Sequence, residues 1–125
     1  MNFKEIEESL DIELPQSYKE FISNYPDMLL ADGFWAAEVE LLNNQNRLVE
    51  LNRFVRLHLD IELSYFLIGG SGCGDYYFID ISDEESPVYF WNHDIAGFDD
   101  DEESVNLIEH AGKLLESYTY VIKNT

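Results

Sequence analysis

Residues 65–91 read YFLIGGSGCGDYYFIDISDEESPVYFW, and this stretch decides the fold. Its apolar, aromatic-rich runs at 65–68, 76–81 and 88–91 have the length and composition of buried strands. A glycine-rich segment separates the first two runs, and glycines supply the positive φ angles that a tight turn requires. The acidic turn 82–87 separates the last two runs. The stretch therefore predicts a hairpin followed by a third strand.

Helical patterns lie on both sides of these strands. Apolar residues three and four apart predict a short helix at 3–10 and a second helix that Pro15 begins and Pro26 ends. Asn43-Asn44 opens a third helix, whose apolar stripe is Leu48, Leu51, Phe54 and Val55. Ser104 can cap a last helix, whose apolar residues are Val105, Leu107, Ile108, Ala111, Leu114 and Leu115.

The remaining segment, between the second and third helices, reads as strand. A turn signal at Asp32-Gly33 separates the apolar run 28–30 from a predicted strand within 34–42. No internal repeat or linker interrupts the chain. This order of elements predicts a single α+β domain over residues 1–125, with a largely antiparallel sheet and helices packed on one face.

The charge of the chain is strongly and unevenly negative. Twenty-six acids against seven bases give −19, and the segment from Leu57 to Gly112 contains 14 acids and no lysine or arginine. A field of this sign repels nucleic acids and anionic membranes, and it attracts basic partners, whose association it can speed up to roughly 1,000-fold. Two interpretations stay open: a basic protein partner, or an acidic surface that only keeps the protein soluble.

Two features of the sequence favour the cytoplasm. Residues 1–5 are polar and acidic and do not resemble a signal peptide, and no apolar run reaches the roughly 20 residues that span a bilayer. Cys73 is the one cysteine, so no internal disulfide can form, which fits a reducing compartment.

Several groups of residues could suggest a phosphate-binding, catalytic or metal site, but none meets the requirements of such a site. The glycine-rich segment 69–74 leads into Asp75 and a strand, whereas a phosphate-binding loop needs a lysine and a helix. Cys73 beside His93 would need positive surroundings to form a thiolate, and this region is acidic. The acids of 94–103 lack EF-hand spacing, the histidines lack zinc-ligand partners, and carboxylate pairs are too abundant to indicate catalysis. We therefore expect no catalytic residue, no cofactor, no metal site and no enzymatic activity.

Aromatic side chains are a further candidate for recognition. Tyr89, Phe90 and Trp91 lie on one predicted strand, where alternate residues point to opposite sides. Those on the outer side, together with Trp35, would form an aromatic patch ringed by acids. The alternative is that each of these residues belongs to the core.

Four segments together carry a family likeness. They are LPQSYKEFI at 14–22, ELL at 40–42, FLIG with GDYYFID at 66–80, and VYFWNHD at 88–94. In this order they resemble the motifs of the SUKH superfamily, which includes the yeast Smi/Knr-type cell-wall regulators. The resemblance implies an α+β domain with a mostly antiparallel, curved sheet flanked by helices. It also implies that the matching residues serve the fold and not catalysis, namely Leu14, Pro15, Tyr18, Phe21, Gly69, Gly74, Asp75 and Asp80.

The same resemblance implies a function. Most bacterial members look like immunity proteins, which bind and neutralise a partner toxin, often a nuclease whose basic surface an acidic protein can occupy in place of phosphates. We expect a stoichiometric toxin inhibitor, and the alternative is an intracellular regulatory scaffold of the Smi/Knr type. The expected contacts are Trp91 or Trp35 as an apolar anchor, and the acids Asp83, Glu84, Glu85, Asp94, Asp99, Asp100, Asp101, Glu102 and Glu103.

Overall fold

The computed structural model describes residues 1–24, 30–31, 40–42, 44–70, 74–99 and 101–123. Its helices are α1 (Phe3–Leu10), α2 (Gln16–Asn24), α3 (Gln45–His58) and α4 (Leu107–Lys123). Its strands are β1 (Leu30–Ala31), β2 (Glu40–Leu42), β3 (Tyr65–Gly70), β4 (Tyr76–Asp80), β5 (Val88–Asn92) and β6 (Gly97–Phe98). None of the described helices is long and apolar enough to cross a membrane.

The strands form one six-stranded sheet in the order β1-β2-β3-β4-β5-β6. β1 and β2 are parallel, and every other neighbouring pair is antiparallel. The predicted hairpin is present, with Tyr65 opposite Asp80 and Gly70 opposite Tyr76, and a bulge interrupts its register between Leu67 and Gly69. The predicted α+β fold with a largely antiparallel sheet is thereby confirmed.

The register gives the sheet two different faces. One face carries Phe66 and Tyr77, and the helices pack on it: the Tyr18 ring of α2 meets Phe66 edge-on at 5.4 Å, and His110 of α4 lies 4.6 Å from Tyr77. The opposite face carries a row of aromatic and apolar residues, namely Tyr65, Leu67, Tyr76, Phe78, Tyr89, Trp91 and Phe98. We call this second face the aromatic face.

The family-motif residues of α2 belong to the core, as the resemblance implied. Leu14, Tyr18 and Phe21 are buried, and the Pro15 carbonyl accepts the hydrogen bonds of Tyr18 and Lys19 that open α2. A proline suits this position, because it has no N–H to satisfy at a helix start.

α3 is tied to α1 by two arginines. Arg53 donates to the carbonyl of Ser9 at 3.2 Å and Arg56 to that of Leu10 at 2.8 Å. These carbonyls belong to the last turn of α1, where carbonyl groups have no partner within the helix. Two of the seven bases therefore serve α1 as C-terminal caps.

α3 is tied to the sheet by a buried asparagine. Asn52 is fully buried, and its side-chain NH₂ donates to the Leu67 carbonyl at 3.1 Å while its side-chain oxygen accepts from the Leu67 N–H at 2.8 Å. The β2 pairing of β3 covers Gly69 and Gly70 and does not include Leu67. Asn52 thus satisfies both backbone groups of a buried strand residue.

Several expectations about the elements are corrected. Ser104 does not cap the last helix: it is buried in a bridge to Val88, and Asn106 accepts from the Glu109 N–H at 2.9 Å instead. Phe54 of the predicted α3 stripe is 48% exposed, because Asn52 takes a place on the buried side of that helix. Three of the apolar residues predicted for the last helix are exposed, namely Val105, which precedes α4, and Ile108 and Leu115.

The strands also differ in detail from the prediction. β1 and β2 are parallel, so they are not the two arms of a tight hairpin, and β6 was not predicted at all. The Asp32-Gly33 turn, residues 34–39 of the predicted strand, Pro26 and Cys73 lie outside the described residues.

Candidate protein-binding surface

Two acidic segments meet at one end of the sheet. Val88, the first residue of β5, directly follows the β4–β5 turn, and its N–H donates to the Ser104 carbonyl at 2.9 Å. The Val88 carbonyl accepts from the Glu103 N–H at 2.7 Å. This backbone pairing places the β4–β5 turn beside the segment that ends at Glu103. We call the exposed acids gathered here the acidic end: Asp83, Glu84, Glu85, Asp101, Glu102 and Glu103.

Local hydrogen bonds hold the β4–β5 turn in place. The Asp80 carboxylate accepts from the Ser82 N–H at 3.0 Å and from its hydroxyl at 2.6 Å, and Asp83 accepts from the Glu85 N–H at 2.9 Å. Ser86 is buried with a φ of 51°, and its hydroxyl lies 2.6 Å from that of Ser17 on α2. Short Asp and Ser side chains favour such turns because they hydrogen-bond nearby backbone groups.

Asp99 extends the acidic run along the edge of β5. The Asp99 N–H donates to the Phe90 carbonyl at 3.1 Å, and its side chain is exposed. Asp100 lies outside the described residues. Asp99 is therefore next to the acidic end but nearer to the middle of the strand.

Asp94 lies at the opposite end of the sheet. It follows β5, so the five residues of that strand separate it from the β4–β5 turn, which is about 13 Å at the usual strand rise. There it lies 3.2 Å from Nε2 of His93, while Asp75 bonds Nδ1 of His93 and accepts from the His93 N–H at 2.9 Å. The Asp75 hydrogen bond raises the pKa of His93. The structure does not bring Asp94 together with the acidic end.

Gly74 allows this second cluster to form. It has a φ of 93°, which a residue with a side chain rarely adopts, and it directly precedes Asp75. Asp75 and Asp94 bond opposite nitrogens of His93, so they do not converge on a shared point. Within the described part of the chain, no three His, Cys, Asp or Glu side chains are grouped to hold a metal ion.

The proposed anchor Trp91 is buried. It is 8% exposed, and its ring lies 6.2 Å from that of Tyr76 on the aromatic face. Little of its surface is available to a partner, so it serves as a core residue of this face. Trp35 lies outside the described residues.

Three other aromatic residues lie at the acidic end of the aromatic face. Tyr65, Tyr89 and Phe98 are partly exposed, with ring centroids 5.5 Å apart for Tyr65 and Tyr89 and 4.7 Å for Tyr65 and Phe98. The fully buried Phe78 lies 5.4 Å from Phe98. We call Tyr65, Tyr89 and Phe98 the tyrosine cluster. No local signal in the sequence distinguishes Tyr65 or Phe98, because the register of several strands is needed to place them together.

Carboxylates from several segments act on this cluster. Burial raises the pKa of Tyr89, and Glu102, Asp80 and Asp83 raise it further. Burial also raises the pKa of Tyr65, with Asp80 and Glu62 acting in the same direction. A phenol loses its proton less readily when its surroundings are negative. The shifts show that the tyrosine cluster lies within the negative field.

Five of the seven bases lie on other elements of the fold. Lys4, Lys19 and the three arginines belong to α1, α2 and α3. Lys113 of α4 is nearest to the acidic end, beside a groove formed by Tyr89 and residues 101–105, and its ammonium donates to the Glu103 carbonyl. These five bases therefore lie on the α1–α3 side, whereas acids occur on both sides and have few basic neighbours around β4–β6.

The arrangement defines a class of protein: an α+β domain with an acidic, partly aromatic surface suited to binding another protein. The model of the SUKH_6 family, described as SMI1-KNR4 cell-wall, matches residues 1–108. The chain therefore belongs to the SUKH superfamily, as the sequence motifs indicated. No curated protein matches the chain in a sequence search.

Proposed function

We propose that this protein is an immunity protein that binds a basic toxin of the nuclease type in the cytoplasm and neutralises it stoichiometrically. SUKH membership supports a role in protein–protein interaction. The observation that carries the proposal is the acidic end, where two separate segments bring six exposed carboxylates to one end of the sheet.

The physical reason is electrostatic complementarity. A nuclease presents a basic surface to the phosphates of its substrate, and a rigid array of carboxylates competes for that surface. The array is rigid because Asp80, Asp83 and the Val88–Ser104 pairing fix the backbone that carries it. A preorganised surface loses less conformational freedom on binding than a flexible acidic tail does.

The proposal assigns the protein binding and no catalysis. An inhibitor of this kind abolishes toxin activity in a linear titration that ends at a fixed molar ratio. An enzyme that inactivates the toxin would instead continue to act at ratios far below one. Titration of the purified toxin with this protein therefore distinguishes the two modes directly.

A charge reversal with a matched control tests the contact surface. Asp101→Lys with Glu102→Lys and Glu8→Lys with Glu13→Lys each change the net charge by the same amount, and all four residues are exposed. The tagged protein is first used to capture its partner from the native host at low and raised salt. We expect the first pair to slow association about 10-fold or more and the second pair to change it little. Equal effects of both pairs would refute a contact at the acidic end.

The family description favours a second candidate function. It names SMI1-KNR4 cell-wall, which fits the regulatory scaffold of the Smi/Knr type that the sequence resemblance offers as the alternative. A regulatory scaffold would capture kinases or cell-envelope factors in the same experiment and no toxin. In that case the acidic end would be a solubility feature, and its reversal would leave capture unchanged.

A further inference from the structure

The tyrosine cluster can attract a cation through its aromatic rings, in addition to the attraction by the surrounding carboxylates. Tyr65, Tyr89 and Phe98 are partly exposed, and each ring contacts the other two at centroid distances from 4.7 to 6.1 Å. The face of an aromatic ring attracts a cation through its quadrupole. Exposed aromatic area next to carboxylates therefore suits a group that is both flat and positively charged.

Another tyrosine of the same sheet can be compared with the tyrosine cluster. Tyr76 is a partly exposed tyrosine of the same aromatic face, at the other end of β4. Burial raises the pKa of Tyr76, and the neighbouring Arg47 lowers it by a smaller amount. Tyr65 and Tyr89 have carboxylate neighbours instead. The tyrosines at the two ends thus differ in the charged groups that act on them, an arginine at Tyr76 and carboxylates at Tyr65 and Tyr89.

Arginine fits this surface better than lysine. A guanidinium group is planar, stacks on aromatic rings and donates to carboxylates as a fork, whereas an ammonium group is a compact and strongly hydrated point charge. Asp80 lies opposite Tyr65 in the β3–β4 pairing, and Glu102 lines the same groove as Tyr89, so carboxylates of two different segments adjoin the tyrosine cluster. Arginine and tyrosine are also the residues most enriched among the energetic centres of protein interfaces.

Building on the function proposed above, we propose that the tyrosine cluster receives an arginine side chain of the basic partner. Its guanidinium stacks on Tyr65 or Tyr89 and hydrogen-bonds to Asp80 or Glu102. The acidic end then accelerates encounter, and the tyrosine cluster holds the complex once it has formed. This division predicts that acid reversals change the association rate and tyrosine substitutions change the dissociation rate.

A peptide titration tests the inference on the full chain without a known partner. The probes are an acetylated, amidated heptapeptide of alternating glycine and arginine and its lysine counterpart, added at low ionic strength. Two-dimensional NMR spectra report shifts of the tyrosine rings and backbone amides. We expect shifts at Tyr65, Tyr89 and Phe98, and tighter binding of the arginine peptide than of the lysine peptide.

Variants separate stacking from charge. Tyr65→Leu and Tyr89→Leu should each weaken the arginine peptide about two- to fivefold, while the Phe variants at both positions keep the ring and bind like the parent. Tyr76→Leu is the matched control on the same face and should change nothing. Glu102→Gln removes an exposed charge without altering the core and should also weaken binding, in contrast to Glu8→Gln.

The outcomes distinguish this inference from the proposed function. Peptide binding that shifts only residues 83–85 and 99–103, with unchanged affinity in Tyr65→Leu and Tyr89→Leu, would overturn the arginine site and leave the acidic end as the contact. Equal affinity for both peptides would also overturn it, because stacking favours guanidinium. No binding of either peptide at low salt would remove the basis for a basic partner altogether.

Discussion

The hydrogen bonds of Asn52 provide the sharpest test of how this fold is held together. Replacement by leucine keeps the branching and the number of non-hydrogen atoms and removes both bonds to Leu67, whose N–H and carbonyl are then buried without a partner. Each orphaned buried group costs about 1–3 kcal/mol, so we expect Asn52→Leu to lower the free energy of unfolding by about 2–5 kcal/mol. Domains of this size have only about 5–15 kcal/mol in total.

The assay is urea unfolding followed by circular dichroism, with Asn46→Leu as the matched control. Asn46 lies on the same helix and is exposed, so its replacement should change stability by less than about 0.5 kcal/mol. Hydrogen exchange at the Leu67 amide should also become faster in Asn52→Leu and not in the control. A loss below about 1 kcal/mol, with the Leu67 amide still protected, would show that Asn52 does not carry the junction between α3 and β3.

Other predictions concern single residues of the fold. Burial lowers the pKa of His110 to about 4, so the unfolded chain takes up a proton at a higher pH than the folded chain. The free energy of unfolding is therefore unaffected by His110 above about pH 6.5 and falls by up to about 3 kcal/mol as the pH drops toward 4. His110→Leu should abolish this part of the pH dependence in urea titrations. Gly74→Ala should cost about 1–2 kcal/mol because of its φ of 93°, whereas Gly112→Ala, with open space on α4, should stabilise by about 0.5–1 kcal/mol in the same assay. Asp75→Asn should lower the pKa of His93 toward its ordinary value in an NMR titration, and an unchanged pKa would contradict the assigned contact.

The sequence was most informative where a local signal is sufficient. α1 begins and ends as predicted, because the Asn2 side chain caps its start at 3.2 Å from the Glu5 N–H and Asp11 ends it with a φ of 55°. The hairpin of β3 and β4 was predicted because glycines and apolar runs are local features too. The family motifs lie on these elements, and the family match confirms the SUKH membership that the motifs indicate.

The sequence was least informative where two distant segments must be aligned. Ser104 looked like a helix cap, but its pairing with Val88 removes it from the helix, and only the tertiary structure determines that pairing. The same pairing brings residues 83–85 to the acidic end and leaves Asp94 beyond the other end of β5. The predicted contact acids follow from the stretch without lysine or arginine, and that stretch contains no information about which end of a strand each acid occupies.

Several of the bases bond to groups of α1, which leaves the negative field of the acidic end largely uncompensated. Arg53 and Arg56 cap the carbonyls of α1, and Lys19 lies 3.4 Å from Glu7, so these cations are held on the α1–α3 side. The acids of the opposite side repel one another, and repulsion between like charges reduces the stability of the folded state. A surface kept only for solubility would gain from interspersed bases, which reduce that repulsion while keeping the surface charged. On the function proposed above, the basic surface of the partner would relieve this repulsion in the complex.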